Sequence, residues 1–154
     1  MAYADYEFYS ETYMGSVLTE DSADAWLERA SDELDVVTFH RLRNGLPDDT
    51  YYQDKIKKAV CAMAENLYQV DALQKATAAS VDENGTVRGP VSSISSGKES
   101  ISFGASSSVY SKAASSALDE GINIQGIAAR YLRGVPAADG VLLLYAGKEG
   151  SYAR

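Results

Sequence analysis

Apolar residues recur at helical spacing in three parts of the chain. The first part follows Thr19, a residue suited to an N-cap, and its apolar positions share one helical face. These positions are Ala23, Trp26, Leu27, Ala30, Leu34 and Val37. The pattern predicts a helix over residues 20–40.

The second part begins after Asn44-Gly45 and Pro47, which interrupt the first helix, and after two aspartates that can cap a new one. Apolar residues then fall at offsets of 3, 4, 7, 11 and 14 from Ile56. This spacing predicts a second helix that continues to about Lys75.

The third part opens with Asn123 as a cap and carries apolar residues on one face between Ile124 and Leu132. Gly134 and Pro136 follow as a stop signal. A last helix is therefore predicted directly before the final stretch of the chain.

The remaining segments lack a helical period. Residues 1–18 are rich in tyrosine and predict an ordered N-terminal arm, and residues 135–154 predict an extended C-terminal tail. Residues 92–116 hold twelve serines, and alternation between Ser93 and Phe103 around Gly97 predicts a short β-hairpin followed by a linker. The expected fold is mainly α: one domain over residues 1–154, a small bundle of three to four helices with a short β-hairpin and extended terminal segments.

Composition narrows the class of protein. With 154 residues, 45% of them apolar, the chain can bury the core of one compact domain. Residues 1–11 carry acids and tyrosines where a signal peptide needs basic and apolar runs, so we expect a protein made in the cytoplasm. The longest apolar run, Val141–Ala146, is far shorter than the roughly 18–20 residues of a membrane span, so no membrane segment is expected.

The net charge of −8 disfavours ordinary binding to the phosphates of nucleic acid. Residues 1–37 hold ten acids against Arg29 alone, a net charge of −9, and the rest of the chain is close to neutral at +1. The acidity is therefore concentrated near the N-terminus.

Known catalytic motifs do not fit the chain. Ser95-Ser96-Gly97-Lys98 matches a serine–lysine pattern, but chance explains such a match in so serine-rich a segment. His40 is the only histidine and Cys61 the only cysteine, too few for a structural zinc site. Cys61 also falls off the apolar stripe of its helix, which favours a contact residue over a nucleophile. We expect no enzyme activity, no metal and no cofactor.

One charge pattern on the first predicted helix suggests a function. Five acids follow one another by 3, 4, 4 and 3 residues and share one helical face: Asp21, Asp24, Glu28, Asp32 and Asp35. A solvated face is the ordinary interpretation of such a pattern. The functional interpretation is an acidic stripe that faces a partner or a channel.

The order of features along the chain also resembles a known family. The resemblance is carried by the opening 1–9 with Tyr13 and Gly15, by 25–39, by 54–65, by the hairpin 93–103 and by 127–132. In these features the chain is similar to the head–tail connector, or neck adaptor, proteins that long-tailed bacteriophages and prophages encode in their head-completion region.

This resemblance implies a structural virion protein at the phage neck, synthesised in the host cytoplasm. It implies a homo-oligomeric ring beneath the portal protein, contact with the next neck or tail-completion protein, and passage of duplex DNA through the ring without binding. The acidic stripe would then line the lumen. The expected subunit or partner interface is Tyr3, Tyr6, Tyr9, Tyr13, Leu143, Leu144 and Tyr145, with packing inside the chain as the alternative.

Two other classes stay open at this stage. Two helices joined by a turn at Asn44-Gly45 also fit a small helical DNA-binding or regulatory protein, although the acidic first helix opposes that interpretation. A small serine hydrolase would have to rely on His40 alone as its histidine.

Overall fold

The structure is a computed structural model that describes residues 1–75 and 123–146 throughout, and between them only the backbone of residues 76–77 and of four short strands. The described ranges are mainly helical, with 66% of their residues in helices. The two long helices are α1, Glu20–Val37, and α2, Thr50–Thr77. A third, α3, spans residues 123–132. The predicted helical bundle is confirmed at this level.

Helix α1 begins at the predicted cap. The Thr19 N–H donates to Ser22 Oγ at 3.3 Å, and the Ser22 N–H donates back to the Thr19 carbonyl at 3.0 Å. The buried face repeats at helical spacing and consists of Ala23, Leu27, Ala30, Ser31 and Leu34. A capped amphipathic segment with this spacing folds as a surface helix against the core.

The end of α1 comes three residues earlier than the predicted residue 40. Phe39 and His40 both have left-handed backbones, with φ of 55° and 58°, so neither can continue a right-handed helix. The His40 N–H donates to the carbonyl of Asp35 at 2.7 Å and closes the last turn. A 3₁₀ turn, Arg41–Asn44, then leads toward α2.

Helix α2 buries more of its surface than its apolar period predicts. Ile56 and Met63 of the predicted row are fully buried, and so is Cys61, which lies on another face. That second face is covered because the N-terminal segment contacts α2. Cys61 lies off the predicted apolar stripe, as expected, and is buried by this second contact.

The first eighteen residues are part of the helical domain and do not project from it. They contain a π-helical turn, Phe8–Thr12, that contacts α2, and Tyr9 within it has no exposed surface. Leu18 is 4% exposed at the start of α1. The predicted arm is therefore ordered, as expected, but packed on its own chain.

The C-terminal segment folds back on itself, contrary to the predicted extended tail. The Leu143 N–H donates to the Val135 carbonyl at 2.9 Å, and the Ala137 N–H donates to the Val141 carbonyl at 2.7 Å. This narrow loop places Val135 and Leu143 in the core with no exposed surface. The segment has no helical or strand period because it is a turn held by a few ladder bonds. Residues 147–154 of the predicted tail lie outside the described part.

The β-hairpin predicted within residues 93–103 is not supported as an element of this domain. The backbone pairs β1, Ser80–Val81, with β2, Val87–Arg88, and β3, Ser93–Ser96, with β4, Glu99–Ser102, both antiparallel. The predicted turn residue Gly97 and the linker after Phe103 lie outside the described residues.

A single core joins all the described helical parts. Each part contributes a fully buried side chain: Tyr9, Leu27, Met63, Leu132 and Leu143. Within the described residues, no helix is both long and apolar enough to cross a membrane. The N-terminal turn and the C-terminal loop are thus as much part of the core as the long helices.

Candidate functional site

The acidic face of α1 is the first candidate site, and the structure divides its five carboxylates into two groups. Asp21, Asp24 and Asp32 are exposed. Glu28 and Asp35 are half-buried because residues 1–3 lie across them. Only part of the predicted stripe is therefore open to a partner or a channel.

Residues 1–3 are fixed to α1 by several polar contacts. The Tyr3 N–H donates to Ser31 Oγ at 3.0 Å, and the Tyr3 hydroxyl donates to Asp35 Oδ1 at 2.6 Å. The Met1 amine pairs with Glu28. Burial, together with the Asp35 carboxylate, raises the pKa of Tyr3 well above its ordinary value of 10. The Tyr3 hydroxyl thus makes an intrachain contact, and the side chain is half-buried.

The three exposed aspartates form a repulsive surface and lack a convergent geometry. Carboxylates spaced along a rigid helix rise by about 1.5 Å per residue and cannot converge on one ion. Among the described residues, no group of three or more metal-binding side chains comes together. What this face can do is present negative charge to whatever lies in front of it.

A buried tyrosine cluster is the second polar feature, and the sequence alone did not reveal it. The Tyr9 hydroxyl accepts hydrogen bonds from the Val17 and Leu18 N–H groups, both at 2.9 Å, and donates to Glu65 Oε1 at 2.8 Å. The Tyr13 hydroxyl donates to the other oxygen of Glu65 at 3.4 Å. This cluster ties the N-terminal segment to α2 and to the start of α1.

Because Tyr9 is buried in this cluster, it is not accessible for the expected subunit or partner interface. Its ring lies 5.8 Å from that of Tyr13 and 6.1 Å from that of Tyr6, measured between centroids, and it is fully buried. Burial raises the pKa of both Tyr9 and Tyr13 above 10, with the Glu65 carboxylate acting in the same direction. Tyr6 and Tyr13 are half-buried. The tyrosines of this segment mainly hold the domain together.

The C-terminal residues of the expected interface also differ in how far their side chains are exposed. Leu143 is fully buried, so it is a core residue and cannot meet a partner in the folded chain. Leu144 is half-buried, whereas Tyr145 is 39% exposed and its neighbour Leu142 is 48% exposed. Of the three residues, Leu143 belongs to the core and Tyr145 is the most exposed.

Two residues considered for chemistry are placed unfavourably for it. Burial raises the pKa of the Cys61 thiol to about 12, with the Glu65 carboxylate adding to the shift, so the reactive thiolate is suppressed. His40 is exposed on the left-handed turn after α1. Neither residue has the arrangement of an activated nucleophile and its base.

A cleft of about 300 Å³, which could not be predicted from the sequence, opens between α1 and α2. Its apolar lining comes from Trp26, Leu67 and Val70. The Trp26 ring meets the Tyr68 ring edge to face at 5.7 Å, and the Arg29 guanidinium lies 4.6 Å from the Trp26 centroid. The cleft therefore has a preformed aromatic wall.

The same cleft carries more acids than bases. Among the described residues that line it, Asp32, Glu33 and Asp71 are acidic and Arg29 alone is basic. Asp71 pairs with Lys75 at 2.6 Å, which leaves Asp32 and Glu33 as its exposed carboxylates. We call this feature the acidic cleft.

Comparison of the chain with family models, with curated proteins and with solved structures finds no match.

Proposed function

We propose that this protein is a structural subunit of the phage neck, which forms a ring beneath the portal, joins head to tail and lets duplex DNA pass. The observation that carries the proposal is the exposed row of Asp21, Asp24 and Asp32 on α1. The resemblance of the sequence to head–tail connectors supplies the biological setting. The protein acts by shape and surface charge.

Duplex DNA that passes through the neck must move without adhering to the wall of the lumen. Duplex DNA carries about one negative charge per 1.7 Å of axis, so an acidic wall repels it along its whole length. The repulsion decays over about 8 Å at physiological ionic strength, which keeps it local to a lumen. Copies of α1 arranged around a ring would repeat this weak repulsion and oppose adhesion.

The DNA-binding alternative gains no support from the described residues. The connection between α1 and α2 spans residues 38–49 and contains the 3₁₀ turn Arg41–Asn44, whereas a helix-turn-helix uses a turn of about 3–4 residues. The acids exposed on α1 would also repel the phosphates next to a recognition helix.

A direct test of the proposal is the composition of virions. We expect mass spectrometry of purified particles to find the protein in every mature particle, and electron microscopy to show it beneath the portal. Purified portal should also capture the protein from solution. Particles that mature and infect without it would overturn the proposal.

The charge of the lumen can be tested separately from the acidic cleft with Asp21→Asn and Asp24→Asn combined, because Asp32 also lines the cleft. We expect the variant to fold at least as stably as the parent, because neighbouring like charges repel by a few tenths of a kcal/mol per pair. DNA ejection should slow and DNA retention in filter binding at low salt should rise. The matched control neutralises Asp48 and Asp139, which are exposed but lie off α1. Equal ejection by parent and variant would contradict the acidic lumen.

A further inference from the structure

Helix α2 carries two surfaces of opposite character, one near each end. Near its C-terminal end lies the acidic cleft. Near its N-terminal end, Tyr51, Lys55 and Lys58 follow one another by 4 and 3 residues and so share one face. We call these three residues the basic patch.

The basic patch has the composition of a contact surface. Tyr51 is 59% exposed, and the Lys55 ammonium lies 4.8 Å from the centroid of its ring. Residues 54–58 hold three lysines against Asp54, a net charge of +2. Tyrosine and cationic side chains together favour an interface with an acidic, aromatic partner.

The two surfaces lie at opposite ends and on opposite sides of one rigid element. At 1.5 Å and 100° per residue, the basic patch and the α2 wall of the acidic cleft are separated by about 24 Å and about 140°. Helix α2 is continuous from Thr50 to Thr77, so this spacing is fixed. One copy can therefore offer its basic patch to one neighbour and its acidic cleft to another.

From this arrangement we propose that the acidic cleft receives the basic patch of a second copy of the same chain. Tyr51 enters beside Trp26, and Lys55 and Lys58 meet the exposed carboxylates at the rim, chiefly Glu33. Such a contact is heterologous, since it joins two different surfaces, and repeated contacts of this kind close into a ring or extend as a filament. The inference rests on the proposed ring and names its subunit contact.

Photo-cross-linking from inside the cleft tests the occupant directly. The full chain carries a benzophenone amino acid at position 74, in place of Gln74, which lines the cleft. A mixture of isotopically light and heavy protein distinguishes links between copies from links within one. The expected product joins position 74 of one copy to residues 51–58 of another. The matched control carries the probe at Gln69, which is exposed on the other side of α2 and should give roughly tenfold less of this product.

A charge exchange, measured by the yield of the same cross-link, tests whether the contact depends on opposite charges. Glu33→Lys alone, or Lys55→Glu with Lys58→Glu, should lower the cross-link yield by roughly tenfold, and all three changes in one chain should restore it. Glu11→Lys, an exposed change far from the cleft in sequence, should leave the yield unchanged.

The outcomes separate this inference from the proposed function. Links from position 74 to residues of its own chain, to other surfaces of a second copy, or to nothing would overturn the inference. A ring seen in virions with such links would leave the neck proposal intact. Links to residues 51–58 in a protein that is absent from virions would support the contact between copies and overturn the neck proposal.

Discussion

The ring of Tyr9 occupies the space that a side chain at Gly15 would fill. A Cβ on Gly15 would overlap the Tyr9 ring, although the backbone of Gly15 has no left-handed φ. The glycine is therefore required by close packing and not by backbone freedom. This packing lets the chain turn tightly between the π-helical turn and α1.

Replacing Gly15 with alanine should destabilise the fold by about 1–3 kcal/mol, because the Tyr9 ring is buried and cannot move away. Urea unfolding followed by circular dichroism measures the loss. The matched control is Gly126→Ala in α3, where nothing lies within 4 Å of the new Cβ. The control should gain about 0.5–1 kcal/mol from helix propensity. Equal effects at both positions would contradict the proposed overlap.

The buried tyrosines and Cys61 also set how stability depends on alkaline pH. Their pKa values are raised in the folded state, so the unfolded chain loses these protons first as the pH increases. The free energy of unfolding should therefore be unaffected by these groups below about pH 9. It should fall between pH 9 and 12 through Cys61, and from about pH 10 upward through Tyr3, Tyr9 and Tyr13.

Urea unfolding at pH 8, 10 and 11 checks this dependence. Cys61→Ala should weaken the fall that begins near pH 9, and Tyr3→Phe should weaken the part that begins near pH 10. A protein whose stability rises over this range would show that these groups are not held in their neutral forms.

At the scale of elements, the sequence predicted the helices well and the ends of the chain poorly. The apolar rows of α1 and α2 gave their existence and buried faces, because helical spacing is a local property of the chain. The burial of Tyr9, Cys61 and Leu143 was missed because it depends on which distant segment covers each one. The spacing of apolar residues does not show that Tyr9 hydrogen-bonds to Glu65, or that residue 143 pairs with residue 135.

In the candidate site, too, the features that depend on local spacing could be predicted, and those that depend on distant segments could not. The acidic face of α1 could be found from spacing alone, whereas its partial cover by residues 1–3 could not. The acidic cleft was missed entirely, because it is formed by side chains from two helices that are about 40 residues apart in sequence. Trp26 gave a weak signal, since a large aromatic residue at the border of an apolar stripe is rarely fully buried.

The folded C-terminal loop can be tested with two neighbouring leucines. Leu143→Ala should cost about 2–5 kcal/mol of stability, because Leu143 is fully buried. Leu142→Ala, at a side chain that is 48% exposed, should cost less than about 1 kcal/mol. Thermal unfolding of the two variants beside the parent measures the difference. Similar small losses at both positions would mean that the loop is not part of the core.

At the scale of the whole molecule, the core joins the helices, whereas the charged surfaces outside it are proposed to contact a neighbour or DNA. The core draws on both ends of the described chain and packs α1, α2 and α3 together. The exposed acids of α1, the acidic cleft and the basic patch lie outside that core. Asp21 and Asp24 lie apart from the acidic cleft, whereas Asp32 lines it. A subunit that offers one surface to a neighbour and another to a lumen is what assembly into a ring requires.

The contacts of Tyr9 also govern what happens while the protein is being synthesised. Glu65 follows Tyr9 by 56 residues, so at about 5–20 residues per second it is added several seconds later. Until α2 leaves the ribosome, Tyr9 and Tyr13 lack the Glu65 carboxylate and the helix surface that cover them in the folded protein. A nascent chain that stalls before residue 65 therefore displays an aromatic, aggregation-prone end, and chaperones are expected to bind there first.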